Sequence, residues 1–190
     1  MDHFVYALAW LAFGLTHTGL AGGRGRARLG RGHRLAYNLV AVVQFALVAA
    51  VGVATLGDRP PFPLPGWALA GLGVVHVGGW MALVWSARFY DLGRLAGTTQ
   101  WRRPDLPADE GLRLDGPHAY VRHPLYAAGH LILWGAAVSP LGLATAVWGS
   151  LYLLVGAAFE ERRLLRLYGD DYARYRARVP SLVPWRGRAI

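Results

Sequence analysis

Long apolar runs separated by short polar ones set the pattern of this chain. The first run covers roughly Phe4–Ala21, the second Leu35–Leu56 and the third Gly66–Ser86. Each is close to the ~20 residues with which a helix crosses the hydrocarbon core of a bilayer. A fourth apolar stretch, Leu125–Phe159, is 35 residues long and is broken near its middle by Ser139-Pro140-Leu141-Gly142. Proline lacks an amide hydrogen and clashes with the preceding turn, so this stretch predicts a helical hairpin. The expected fold is all-α: a polytopic membrane protein of five transmembrane helices ending in that hairpin. The first run has neither a basic lead nor a small-residue cleavage site, and reads as a retained span.

The polar segments refine this. After the apolar stretch, Glu160–Arg178 reads as a cytoplasmic amphipathic tail helix. At 100° per residue Glu160, Glu161, Leu164, Leu167 and Tyr168 share one arc, and Arg162, Arg163 and Arg166 another. Gly169 is expected to interrupt this helix and Val179-Pro180 to end it. Residues 1–190 are expected to form a single membrane domain, with three spans in 1–86 and the second half in 87–190. The loop Gly22–Arg34 carries five arginines, residues 87–124 six, the tail from Glu160 eight, the loop Gly57–Pro65 one and the 139–142 turn none. By the positive-inside rule this alternation puts the N-terminus outside and the C-terminus in the cytoplasm, with the bacterial inner membrane as the expected location.

Composition agrees with the pattern. The chain is 54% hydrophobic and 16% charged, well short of the ~25% charged of a soluble domain. Its formal net charge is +9, and every basic residue is an arginine. The arginines flank apolar runs, which points to anionic lipid headgroups rather than nucleic acid as their partner. There are no cysteines, which excludes disulfides, thiolate metal sites and cysteine nucleophiles.

Two polar groups stand at the feet of the expected hairpin. One is Arg122-His123-Pro124-Leu125-Tyr126. Proline holds the residue before it out of helical geometry and suits the first helical turn. His123 is thereby placed at a helix entrance, where free amide hydrogens favour an anion. The other is Glu160-Glu161, on an arc shared with leucines, where a carboxylate needs a partner. A hairpin brings the two groups side by side. Such a spot suits a zwitterion: an ammonium on the glutamates, a carboxylate on Arg122, His123 or helix-end amides. Tyr120, Tyr126, Tyr168 and Tyr172 are aromatic groups able to enclose an adenine or a sulfonium. The plainer readings are a snorkelling Arg-His pair, solvated glutamates and interfacial tyrosines.

The ordered set Gly116-Pro117-His118-Ala119-Tyr120-Val121-Arg122-His123-Pro124-Leu125-Tyr126, Glu160-Glu161 and Tyr168-Gly169-Asp170-Asp171-Tyr172-Ala173-Arg174-Tyr175-Arg176-Ala177-Arg178-Val179-Pro180 resembles the integral-membrane methyltransferases. These include the isoprenylcysteine carboxyl, phospholipid N- and methanethiol S-methyltransferases. The resemblance covers about residues 87–185. In the N-terminal half, His17, the arginine-rich loop and Tyr37-Asn38 are similar to the NnrU-like and methanethiol-methylating members. The resemblance implies that residues 87–190 bind S-adenosylmethionine. It implies cofactor contacts from Gly116, Tyr120, Arg122, His123, Pro124, Tyr126, Glu160 and Glu161. Where the isoprenylcysteine enzymes carry charged residues before their glutamates, this chain has Gly156-Ala157-Ala158-Phe159, which points away from that acceptor.

Methyl transfer from a sulfonium needs positioning and exclusion of water. A thiol acceptor also needs a base, and His118 and Glu161 are the catalytic candidates, with His123 beside them. The expected acceptor is a small thiol or a lipophilic molecule, with phospholipid amine N-methylation as the alternative. A non-enzymatic NnrU-like accessory protein and a haem- or metal-binding anchor are the readings from other classes. His17, His76 and His130 lie inside apolar runs, where ionisable groups are functional candidates. They form no ligand motif, so no metal is expected, and interhelical hydrogen bonds are their expected role, as for Gln44. Gly71 and Gly73 are expected to permit close helix packing.

Overall fold

The computed structural model describes residues 1–20, 30–103, 105 and 111–186; residues 21–29 of the arginine-rich first loop lie outside that set. Its regular elements are all helical. In chain order they are α1 Asp2–Leu20, α2 His33–Leu56, α3 Gly66–Ala87, α4 Leu92–Ala96, α5 Thr98–Arg102, α6 Pro124–Gly135, α7 Pro140–Tyr168 and α8 Asp170–Arg178. Short 3-10 turns sit at Gly30–Gly32 and Gly116–Ala119. Among the described residues three helices, α2, α3 and α7, are long and apolar enough to cross a membrane.

The hairpin differs from expectation in where it breaks. Pro140 opens the second arm instead of lying inside a turn. Ser139 is the N-cap, and its hydroxyl accepts from the Gly142 amide at 3.1 Å, which satisfies one free donor of the first turn. The first arm ends at Gly135 and has 12 residues, about 18 Å at 1.5 Å per residue. The second arm has 29 residues, about 43 Å. No separate helix begins at Glu160. The apolar arm continues unbroken through both glutamates to Tyr168, and Gly169, at φ 53°, turns the chain into α8.

The chain divides into two compact units, Met1–Pro60 with Tyr90–Glu110, and Pro61–Phe89 with Gly111–Ile190. The helix α3 thus groups with the C-terminal half. In the first unit α1 packs along α2. Trp10 meets Phe13 and Phe45 edge to face, both at 6.0 Å. The Tyr37 hydroxyl hydrogen-bonds His17 Nε2, and Gln44 Nε2 donates to Thr16 Oγ1 at 2.9 Å. Both are interhelical, as expected. Asn38 Nδ2 donates to the carbonyls of Leu95 and Ala96 at 2.9 and 2.8 Å, meeting the acceptors left open at the end of α4.

In the second unit α3 lies against α6 at backbone contact. A Cβ on Gly79 would sit 2.7 Å from the Ile132 amide nitrogen, and one on Gly135 2.4 Å from that of His76. These are the glycines that close the interface. A Cβ on Gly71 or Gly73 would meet nothing within 4 Å, which corrects the packing role expected of that pair. His76 Nδ1 bonds the Ile132 carbonyl at 2.8 Å, and Trp80 Nε1 donates to His76 Nε2 at 3.1 Å. Beyond α7, Tyr172, Tyr175 and Val179 form a buried cluster on Leu164, Leu165 and Tyr168.

Candidate active site

The site is built where α6 begins and the apolar part of α7 ends. Pro124 occupies the first position of α6 and leaves His123 just outside it, at φ −124° and ψ 68°. That non-helical backbone leaves two amides to bond elsewhere. Arg122 N donates to the Pro180 carbonyl at 2.9 Å and His123 N to the Ser181 carbonyl at 3.1 Å. The segment after α8 therefore lies along the entrance to α6. Val179-Pro180, expected to stop the tail helix, is one wall of the site.

Arg122 is the keystone of this wall. Its Nε donates to Glu161 Oε1 at 2.9 Å, and a second guanidinium nitrogen bonds the same oxygen. Its remaining nitrogen donates to the carbonyls of Val179 and, at 3.3 Å, Arg176, capping the end of α8 as cations do at helix C-termini. Arg176 Nε faces the other Glu161 oxygen at 3.5 Å. His123 Nε2 lies 3.2 Å from Glu161 Oε1 and His123 Nδ1 3.6 Å from Glu160 Oε2. The two adjacent glutamates thus differ in kind. The Glu161 side chain is 13% exposed with both oxygens engaged, whereas that of Glu160 is 40% exposed.

Aromatic rings line the open side of Glu160. The His123 and Tyr126 rings stack at 5.5 Å and 16°, and both His123 and Tyr126 favour the ionised Glu160 carboxylate. Opposite Tyr126 on α7 stands Gly156, where an added Cβ would lie 3.7 Å from the hydroxyl. Behind these, His118 is buried in the 116–119 turn. Its carbonyl accepts from the Tyr175 hydroxyl at 2.6 Å. The turn needs Gly116 twice over, for its φ of 55° and because a Cβ there would stand 2.2 Å from the Phe89 ring. Burial pushes the His118 imidazole below its ordinary pKa, so the ring is neutral near pH 7. Burial, aided by the Glu161 charge, pushes the Tyr172 hydroxyl up to about 12.

The structure thus brings together Arg122, His123, Pro124, Tyr126, Glu160 and Glu161, with Gly116 and His118 behind them. Tyr120 closes the 3-10 turn and is exposed. Arg176 and the carbonyls of Val179, Pro180 and Ser181 were not singled out from the sequence. Their signal was the spacing Tyr172, Tyr175, Val179, which marks the buried face of α8 and places Arg176 on the same arc. Of the three histidines inside apolar runs, His130 touches a site residue, its Nδ1 lying 2.7 Å from the Tyr126 carbonyl, while His76 bonds Ile132 and Trp80. Among the described residues no group of three or more His, Cys, Asp or Glu is placed to hold a metal ion.

Comparison with named proteins gives partial matches. The chain is 43% identical over 70 residues to methanethiol S-methyltransferase 1 of Bradyrhizobium diazoefficiens, a match covering 36% of this chain and 25% of that protein. It is 33% identical over 134 residues to methanethiol S-methyltransferase 2 of the same organism, covering 65% of this chain and 51% of the relative. It is 38% identical over 82 residues to protein-S-isoprenylcysteine O-methyltransferase of Schizosaccharomyces pombe, covering 40% and 34%. The chain thus spans between a quarter and about half the length of these relatives. No family model and no solved structure matches.

Proposed function

The chain is a relative of the methanethiol S-methyltransferases and of protein-S-isoprenylcysteine O-methyltransferase, and we propose that it is itself a membrane-embedded enzyme that moves a methyl group from S-adenosylmethionine to a small thiol or lipophilic acceptor. The observation that carries this reading is the convergence of His123, Tyr126 and a half-open Glu160 at the feet of one membrane hairpin.

The residues present fit the amino-acid end of such a methyl donor. Glu160 offers a carboxylate with an open face to an ammonium. The stacked His123 and Tyr126 rings offer π-faces to a sulfonium or an adenine. Arg122 is occupied by Glu161 and by the carbonyls that end α8, so in this reading it shapes the wall instead of receiving a carboxylate. Glu161 braces that wall, and Glu160 faces the ligand. S-adenosylmethionine supplies, when bound, a methyl carbon on a cationic sulfur. The chain's own part is to hold the two reactants in line and to keep water out. The Gly116–Tyr120 turn closes the back of the site, with His118 held neutral inside it.

The same reading carries the finer topology: five spans in one domain, the N-terminus outside, and the site with the C-terminus on the cytoplasmic side of the inner membrane. It is tested by calorimetry of S-adenosylhomocysteine on the detergent-purified chain. The expected result is binding that Glu160→Gln weakens at least tenfold. Absence of binding at millimolar ligand overturns the reading. Transfer of labelled methyl into thiols, prenylcysteines and aminophospholipids then identifies the acceptor.

A further inference from the structure

The α6–α7 seam continues inward from the site. Tyr126, His130 and Trp134 are spaced by four residues and share one face of α6. At one end of this stripe the Tyr126 hydroxyl lies opposite Gly156 of α7. At the other, Trp134 Nε1 donates to Ser150 Oγ at 3.0 Å. Between them, a Cβ on Gly129 would lie 3.1 Å from Leu153 Cδ1. His130 stands midway, one turn deeper into the apolar region than the residues that surround Glu160.

Its two ring nitrogens are in different situations. Nδ1 lies 2.7 Å from the Tyr126 carbonyl, an acceptor, so Nδ1 carries the hydrogen. The lone pair is therefore on Nε2. That atom is buried and has no hydrogen-bond partner among the described residues. His76, one helix away, has both ring nitrogens engaged. A buried acceptor with no partner is costly and calls for a reason. A protonated group arriving from the bilayer side would supply one.

We infer that His130 Nε2 is the base that receives the proton of a small apolar thiol acceptor. This rests on the methyltransferase reading above and assigns it a proton path. In the step, the thiol S–H bond breaks and its proton goes to Nε2, giving an imidazolium. The sulfur lone pair so freed forms the new S–CH3 bond. The bond from the donor sulfur to the methyl carbon breaks, and its electron pair stays on that sulfur as a neutral thioether. The positive charge passes from the sulfonium to the imidazolium, so charge balances. A free thiol is mostly protonated at neutral pH, which is why the acceptor needs the base. The site is one turn from Tyr126, so the proton is taken on the membrane side of the methyl donor, where an apolar thiol partitions.

The test uses the full chain in detergent, saturated with S-adenosylhomocysteine, with ethanethiol as the probe. In the wild type at pH 7, ethanethiol is expected to give the ultraviolet difference absorbance of a bound thiolate. Its binding enthalpy is expected not to vary with the buffer, because the proton stays on the protein. No thiolate band, or a band accompanied by a proton released to buffer, overturns the inference. His130→Gln is expected to bind S-adenosylhomocysteine within twofold of wild type and to lose the thiolate band. It is also expected to transfer methyl at least 100-fold more slowly at pH 7, within the usual range for loss of a general base, with recovery as pH rises and the free thiol ionises. A variant that keeps both the band and the rate overturns it. If His130→Gln does not fold, as read by loss of S-adenosylhomocysteine binding, the wild-type band and proton count decide alone. Failure of the wild type to bind S-adenosylhomocysteine is a separate result, and removes the methyltransferase reading itself.

Discussion

Glu160 and Glu161 are neighbours in sequence, yet their environments assign them opposite consequences when they are changed. Removing the Glu161 carboxylate strands Arg122, whose side chain is 10% exposed, without its counter-ion. Breaking one partner of a buried pair costs about 3–5 kcal/mol, and this one is partly solvated, so Glu161→Ala is expected to fall near the lower end. Glu160→Ala removes the more exposed carboxylate, 40% against 13%, and is expected to cost less than Glu161→Ala, while abolishing ligand binding. Thermal unfolding in detergent beside ligand calorimetry checks both, and equal destabilisation by the two changes would refute the division of roles. His118 gives a pH signature. Its folded pKa lies below the unfolded value of about 6.5. The unfolded chain therefore takes up a proton that the folded chain resists. Stability from this group is fully present above that pH and declines as pH falls below it, by at most about 1.4 kcal/mol per pH unit. The wild-type thermal midpoint is expected to drop between pH 7 and pH 5 more steeply than that of His118→Phe. Parallel curves would mean that the buried imidazole is not resisting its proton.

At the scale of elements, the sequence reading succeeded where period and chain geometry decide, and failed where contact distance decides. The hairpin and the meeting of Arg122-His123 with Glu160-Glu161 followed from one apolar stretch with a proline inside it. The identity of the close-packing glycines did not follow. Gly71 and Gly73 are small residues inside an apolar run but face open space, whereas Gly79 and the isolated Gly135 touch backbone across the α3–α6 interface. Nothing in one helix's sequence states which of its faces meets a neighbour that is remote in the chain. The two roles separate by experiment. Gly135→Ala forces a Cβ to 2.4 Å from the His76 backbone nitrogen, and overpacking of that kind costs about 1–3 kcal/mol. Gly71→Ala is expected to leave the thermal midpoint unchanged or higher, since alanine favours helix by up to about 1 kcal/mol. The histidines show the same limit. Their apolar setting was legible, but the partners of their ring nitrogens were not: a carbonyl four residues back for His130, and Ile132 of another helix with Trp80 for His76.

For the whole molecule the open quantity is the number of crossings, and it turns on α6. At about 18 Å this helix is shorter than the ~30 Å hydrocarbon core, so by length alone it reads as a helix that enters and stops. The contacts at its far end argue otherwise. Phe62, in the proline-rich loop before α3, donates its amide to the Val138 carbonyl at 2.9 Å, in the turn between α6 and α7. The loop and the turn therefore share one face. Residues 136–139 form the hydrogen-bonded turn that joins the end of α6 to that face, with Ala137 N donating to the Trp134 carbonyl at 3.2 Å and Val138 N to that of Ala136 at 2.9 Å. On the five-span reading, α3 crosses once from the proline-rich loop, α6 with its turn returns, and α7 crosses again to the glutamates. Three crossings put the loop and α8 on opposite sides, whereas two put them on the same side. The chain has no cysteine, so single introduced thiols report cleanly. Pro63→Cys in the loop and Asp171→Cys on α8 both occupy exposed positions. An impermeant maleimide added to intact cells is expected to label Pro63→Cys, and to reach Asp171→Cys only after permeabilisation. The same sides are expected from the arginine distribution, with one arginine in the loop and eight beyond Glu160. Labelling of both positions from outside would make α6 a helix that does not cross, and would move the site to the opposite face from its arginines.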